Sequence, residues 1–474
     1  MSGRLIRRAE VGGVLCDVRV GEGRVLEIGH ALLRQGPDEQ VKDGRGGALL
    51  PGLTDHHIHL FATAADLAST ACDPTTARDA AGLRDLLHRA GPDEHGWIRG
   101  VRYHESVAGE LDAAALDLLR DDVPIRIQHR SGALWMLNSL AATAIGLDRA
   151  DHPGIERDPQ GHPTGRLWRA DDWLRDRLPR GRPPSLAALG RLLAGYGITS
   201  VTDASPALDS GTVDAITAAM TDGALPQQVQ LLGAPLRSDV RRQPTDRQRG
   251  PVAGPWKIVL ADSGLPRYDE LVEEIGAAHR AGRPVAVHCV TREALVLLLV
   301  ALEQAGSRPG DRLEHAALVP QELIPTLRRL GLRVVTQPGF LADRGDDFLL
   351  GVPADEHRDL YRCASLLAGS VPLALSSDAP YGPLDPWAVQ RAAVSRLTPA
   401  GVVAGRRERL DAAQALDGYL SPPQLPGSPT RIVRPGTPAD LVLLHTPLRE
   451  ALVHPDAELV RLCLAAGEPA APTA

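Results

Sequence analysis

Through the middle of the chain, short apolar runs of strand length alternate with amphipathic helical segments, and that alternation leaves few architectures open. Strand-like runs occupy residues 48–53, 199–202, 229–232, 257–260, 285–287, 312–313, 333–336 and 373–375, eight in all. Helical patterns lie between several of them. Residues 270–281 place Leu271, Ile275 and Ala278 on one face, 292–305 is richly apolar, and 321–330 sets Leu323, Ile324, Leu327 and Leu330 at helical spacing. Parallel strands need crossovers of helix length, so this pattern points to an α/β fold, a (β/α)8 TIM barrel. A doubly wound open sheet is the alternative, weakened because no Gly-x-Gly-x-x-Gly follows any of these strands.

The stretch between residues 53 and 199 breaks the rhythm. It holds a further strand at 124–129 and a helix at 135–145, and a loop of that length without structure of its own is implausible. An inserted subdomain after strand 1, over about residues 75–190, is expected to cover the barrel mouth. The first fifty residues read as short strands (14–20 and 24–29), and the other end has the same texture at 436–444 and 451–453. Neither end can bury much surface alone. Together, residues 1–50 and 425–474 are expected to form a small composite β-sandwich, leaving 51–424 as the barrel with its insert.

Composition narrows the function classes. A net charge of −7 over 474 residues argues against a nucleic-acid footprint. Cys16, Cys72, Cys289, Cys363 and Cys463 show no short pairing, which argues for reduced thiols rather than a disulfide framework or a thiolate zinc site. Residues 1–20 mix Arg4, Arg7, Arg8 and Glu10 with short apolar pieces, unlike a secretory leader, and the longest apolar run, 294–302, is far too short to span a bilayer. A cytoplasmic protein acting on a small molecule is expected, with neither nucleic acid nor membrane as partner and with a homodimer as its assembly.

Groups able to bind metal recur where the strands end. His57 and His59 are two apart, so in extended backbone both imidazoles point to one side. Later strands supply Lys257, His288, His315 and Asp378, and the carboxyl ends of barrel strands ring the active site. Each has a plain structural alternative: a strand-end histidine can be a satisfied core imidazole, Lys257 a surface lysine, Asp378 a helix cap. Together and in this order, the six are what a one- or two-metal hydrolytic centre needs. His56 should face away by alternation and pack beneath the barrel, while His129, ending a strand of the insert, is a candidate to face substrate.

The ordered motifs resemble the amidohydrolase superfamily, specifically its YtcJ-like (amidohydrolase 3) branch. The first-strand motif is Pro51-Gly-Leu-Thr-Asp-His-His-Ile-His-Leu60, followed by Gly197-Ile-Thr-Ser-Val-Thr-Asp203. Trp97-Ile-Arg-Gly100, Leu134-Trp-Met-Leu-Asn-Ser139 and Asp158-Pro-Gln-Gly-His-Pro-Thr-Gly165 lie in the insert. Lys257-Ile-Val-Leu-Ala-Asp262, Leu313-Glu-His-Ala316, Gln337-Pro-Gly-Phe340 and Ser376-Ser-Asp-Ala-Pro380 complete the series. The resemblance implies a divalent metal, zinc, as one or two ions. His57, His59 and Asp378 would hold the more buried ion, and His288 and His315 the more exposed one. Lys257 would bridge them as N6-carboxylysine, because a free ammonium cannot ligate a cation. Asp378 would act as general base and then acid toward water activated by the metal, with His315 or His288 steadying the oxyanion of a one-metal site.

Departures from the branch gather near the expected substrate. A Gly-His usual before the Ala-Leu-Trp stretch is replaced by Ser131-Gly132, the Asp-Gly-Ser loop reads Asp262-Ser-Gly264, and His288-Cys-Val-Thr-Arg292 stands where His-Ala-Ile-Gly-Asp is common. His129, Trp135 and Asp262 are the substrate contacts expected there. The implied activity is hydrolysis of a C–N bond in a small amide, formamide or cyclic amide. The alternatives are deamination of a heterocycle, a non-hydrolytic metal-dependent decarboxylase, and an inactive binding protein on the same scaffold.

Overall fold

The computed structural model describes residues 3–179, 181, 183–237, 240–241, 250–261 and 264–470. The chain forms two compact units, one of Met1–Leu60 with Leu186–Ala474 and the other Phe61–Ser185.

In the first unit, β-rich strands and crossover helices build two parallel sheets. One has the order Val252–Ala253, Gln228–Leu231, Ile198–Asp203, Leu53–Ile58, with Val201 opposite Asp55. The other runs Trp256–Val259, Val285–Cys289, Arg312–His315, Arg333–Thr336, Leu373–Leu375, with His288 opposite Glu314 and Cys289 opposite His315. Hydrogen bonds tie the two sheets together. The Lys257 amide donates to the Leu232 carbonyl at 3.2 Å, and the Asp378 amide to the His57 carbonyl at 2.8 Å. Helices Tyr268–Arg280 and Arg292–Ala305 carry their apolar faces inward, burying Leu271, Ile275 and Ala278 in the first and Leu295, Leu298 and Leu302 in the second.

The first strand begins later than its sequence implies. Residues 48–53 read as one barrel strand, but Leu49–Pro51 pairs antiparallel with Leu441–Leu444, and the strand carrying the histidines is Leu53–Ile58. Gly52 separates them; a Cβ there would come within 2.3 Å of the Thr199 side chain, so the close approach admits only glycine. One continuous apolar run thus serves two sheets, a division that periodicity cannot show.

Both ends of the chain form further sheets. Arg24–Gly29, Val14–Gly21, Arg4–Val11 and Gln40–Asp43 make one, and Glu468–Pro469, Val460–Ala465, Leu441–Leu444 and Leu49–Pro51 the other. Ile6, Val18, Val25 and Leu49 share a single core cluster with Leu441, Leu443, Leu462 and Leu464. Residues 451–453, read as strand, instead end the short helix Leu448–Ala451, which follows Pro447. Proline fixes the φ of the entering residue and favours a helix start.

The second unit is a six-stranded mixed sheet, Ile155–Arg157, Pro163–Trp168, Leu134–Leu137, Ile125–His129, Ile98–Tyr103, Thr70–Ala71. Residues 135–145, read as one helix, divide into strand Leu134–Leu137 and helix Ser139–Ala144. Asn138 makes the break: its side chain accepts the Ala141 amide at 3.0 Å, capping the helix, and the Ile125 amide at 2.9 Å. Alternation explains the strand, since Leu134 and Met136 enter one core cluster while Trp135 and Leu137 enter another. Among the described residues, no helix is long and apolar enough to cross a membrane.

Candidate metal centre

Local backbone geometry gathers the site. His57 and His59 straddle the end of Leu53–Ile58, and their Nε2 atoms lie 3.4 and 3.3 Å from Asp378 Oδ1. Ligand atoms of His57, His59 and Asp378 all lie within 4.8 Å of one another. Asp378 sits at φ 54, a left-handed conformation that aspartate tolerates better than most side chains. Asp55 braces both strands from below. Its carboxylate accepts the Ser377 hydroxyl, the Ser377 amide at 3.2 Å and the His57 amide at 3.2 Å. Burial pushes the Asp55 pKa up to about 6, against the pull of those donors.

The remaining expected ligands adjoin this cluster. His315 lies with its ring centroid 4.8 Å from His57 and 4.4 Å from His288. In a regular strand, Glu314 and His315 would face opposite ways. His315 at φ 71 and Ala316 at φ 48 leave the extended region, so both neighbours reach the His57 ring. His315 Nδ1–H donates to Gln337 Oε1 at 2.9 Å, and the Gln337 amide donates to Ser376 Oγ at 2.9 Å. In that tautomer the His315 Nε2 carries a lone pair, which suits a ligand and not an oxyanion donor. Lys257 is buried, 6% exposed, in the field of Glu314 and Asp378.

Electrostatics prepare these groups for a cation. Burial pulls the pKa values of His57 and His315 down and that of His288 down to about 3, keeping the rings neutral. Burial alone would raise that of Asp378, but its attraction to the neighbouring His57, His315 and His59 rings outweighs it and favours the carboxylate. Burial lowers the Lys257 pKa against the opposing pull of Glu314 and Asp378. Neutral imidazole and ionised carboxylate are the ligating forms. Among the described residues, His57 Nε2 and Asp378 Oδ1 are moreover both buried without a hydrogen-bond partner. Partnerless buried polar atoms are costly unless something binds them, and two nitrogens with one carboxylate oxygen fit a divalent cation.

Sequence reasoning assigned no role to several supporting groups. Glu314 Oε2 meets His57 Nδ1, Ser205 Oγ lies 3.3 Å from His59 Nδ1, and Gln337 holds His315. Glu314 and Gln337 fall inside recognisable motifs, yet only the folded strands reveal what they touch. His56 is buried, and its Nε2 pairs with Ser421 Oγ at 3.0 Å.

The expected substrate residues sit as follows. In the second unit, His129 Nδ1 accepts the Ser131 amide at 3.1 Å and its Nε2 donates to Glu105 at 3.2 Å. Trp135 is buried, its indole N–H donating to Asp171 at 2.8 Å and its ring flanked by Arg99 and Arg126. Asp262 lies outside the described residues.

Known proteins agree with this picture. The model of the amidohydrolase family matches residues 40–471. The chain is 26% identical to the N-substituted formamide deformylase of Arthrobacter pascens, covering 90% of this chain and 89% of that one. It is 24% identical to the putative amidohydrolase YtcJ of Bacillus subtilis (strain 168), over 76% of this chain and 75% of that one. An uncharacterized metal-dependent hydrolase from Pyrococcus horikoshii superposes with a TM-score of 0.73 at 19% identity, over 99% of this chain and 100% of that one. That likeness shows an α/β fold of the TIM-barrel type. The chain belongs to the amidohydrolase family, in its YtcJ-like branch, and is a hydrolytic enzyme acting on carbon–nitrogen bonds.

Proposed function

We propose that this enzyme hydrolyses a C–N bond of a small amide, formamide or cyclic amide at the ends of the parallel strands, which we read as one (β/α)8 barrel. The terminal sheets, on this reading, form a β-sandwich, and the Phe61–Ser185 unit is the insert. The observation that carries the reading is the convergence of His57, His59 and Asp378 on one point, where His57 Nε2 and Asp378 Oδ1 find no hydrogen-bond partner among the described residues. A divalent ion held there, zinc on this reading, supplies Lewis-acid polarisation of a carbonyl and lowers the pKa of a water from about 15.7 to about 7. Asp378 then takes a proton from the attacking water and returns it to the leaving nitrogen. His315 and His288 would serve as ligands of a second, more exposed ion, since the Gln337 contact leaves the His315 lone pair on Nε2. Lys257 joins them as its carbamate, an anionic two-oxygen ligand where the free ammonium would repel cations.

A substrate panel tests this. N-substituted formamides, linear amides and cyclic amides should be hydrolysed with solvent oxygen entering the acid product. Ammonia from a heterocyclic amidine would assign deamination instead, and carbon dioxide without water incorporation would assign a lyase. The ligand role of Lys257 is tested separately. Lys257→Ala is expected to lower the metal-to-protein ratio and to recover part of it with added acetate or propionate. Unchanged stoichiometry would show that Lys257 is no ligand.

A further inference from the structure

We infer that Glu314 is the positioning residue of the metal centre: it dictates which nitrogen of His57 is free to ligate, and Arg312 locks it in place. The inference rests on the metal reading of His57, His59 and Asp378 given above. A neutral imidazole carries one proton, on Nδ1 or on Nε2, and the other nitrogen offers the lone pair. His57 Nδ1 meets Glu314 Oε2, and both side chains are fully buried. An ionised carboxylate only accepts hydrogen bonds. The proton therefore belongs on Nδ1, and the lone pair of Nε2 points toward Asp378 Oδ1, 3.4 Å away. The opposite tautomer would press the Nδ1 lone pair on Glu314 Oε2 at hydrogen-bond contact, a closer approach than that of Nε2 to Asp378 Oδ1, and would aim an N–H where the ligand bond must form.

Glu314 cannot rotate away from this duty. Its other oxygen, Oε1, accepts from Arg312 Nε, and Arg312 Nη2 donates to the His56 carbonyl at 3.0 Å. Arg312 and Glu314 are two residues apart on strand Arg312–His315, so the backbone presents them to one side. The contacts close a loop from His56 to His57, Glu314, Arg312 and back to His56. Behind the other rings, His59 Nδ1 faces the Ser205 hydroxyl and His315 Nδ1 the Gln337 amide at hydrogen-bond distance, with Asp378 Oδ2 farther off at 3.7 Å. An anionic acceptor behind a ligating ring increases its donor strength, and loss of such partners costs 10- to 100-fold in metal affinity as a rough guide. His57 is on this account the anchoring ligand of the centre.

The test measures zinc affinity, by competition with a chromophoric chelator, alongside the melting temperature of the metal-free full-length protein. Wild type, His57→Asn and His59→Asn are measured first. If wild type does not bind zinc, or both variants bind it as tightly, the metal reading itself fails. Given binding, Glu314→Gln, nearly isosteric but uncharged, is expected to bind zinc about 10- to 100-fold more weakly with little change in metal-free melting. A folded Glu314→Gln with wild-type affinity would overturn the inference. The tautomer gives a readout that needs no folded variant at position 314. Histidine nitrogen NMR of metal-free wild type, with the signal assigned from His57→Asn, should show His57 protonated on Nδ1, and an Nε2–H ring would equally overturn the inference.

Discussion

Asp378→Asn should leave a folded protein whose kcat is lower by about 10²- to 10⁴-fold, the usual contribution of a positioned general acid–base group. The fold should survive because the backbone contacts of residue 378 do not involve its side chain. Its amide donates to the His57 carbonyl, and its carbonyl accepts the Tyr381 amide at 2.9 Å. The left-handed φ of 54 suits asparagine as well as aspartate. What changes is the chemistry of Oδ1, the atom that His57 and His59 share. A carboxamide oxygen is neutral, binds a cation less strongly and cannot take the proton of the attacking water. Turnover per bound metal, with circular dichroism as the check on folding, separates loss of the base from loss of a ligand. Near-normal turnover would remove Asp378 from the mechanism.

Stripping the metal should abolish turnover and lower stability, and added zinc should restore both. A ligand that binds only the folded state stabilises it by about 4.1 kcal/mol when present at 1,000 times its Kd. The structure makes that loss specific. Without a cation, His57 Nε2 and Asp378 Oδ1 remain buried with no hydrogen-bond partner among the described residues, a destabilising condition. Melting curves with and without a chelator, paired with activity on the best substrate of the panel, provide the measurement. A stripped protein that keeps its melting temperature and its turnover would contradict both the site and the chemistry assigned to it.

Much of the site was legible before folding because a strand has a simple period. His57 and His59 are two apart, and extended backbone alone places them on one side, with His56 excluded. The helix at Arg292–Ala305 was likewise visible, since its apolar residues recur every turn and Thr291 accepts the Ala294 amide at 3.3 Å as its cap. Legibility failed where apolar residues ran on without period. Residues 48–53 serve two sheets, and residues 134–137 are buried on both faces, so neither run betrays its true element.

The sequence by itself determined the α/β alternation, the family and the candidate residues for chemistry, because these depend on local period and on residue type. Only the tertiary structure decided which atoms meet. It gave Glu314 to His57 and Gln337 to His315, and it turned His315 onto the same side as Glu314 through a left-handed backbone that no strand pattern predicts. Asp55 and Ser377 are more than three hundred positions apart yet brace one another beneath the cluster. Such contacts join residues distant along the chain, and their geometry is set by how whole strands align rather than by the neighbours of each residue. The physical reason is range: periodicity acts over a few residues, whereas the orientation of an imidazole and the pairing of a buried carboxylate are fixed by packing across the fold.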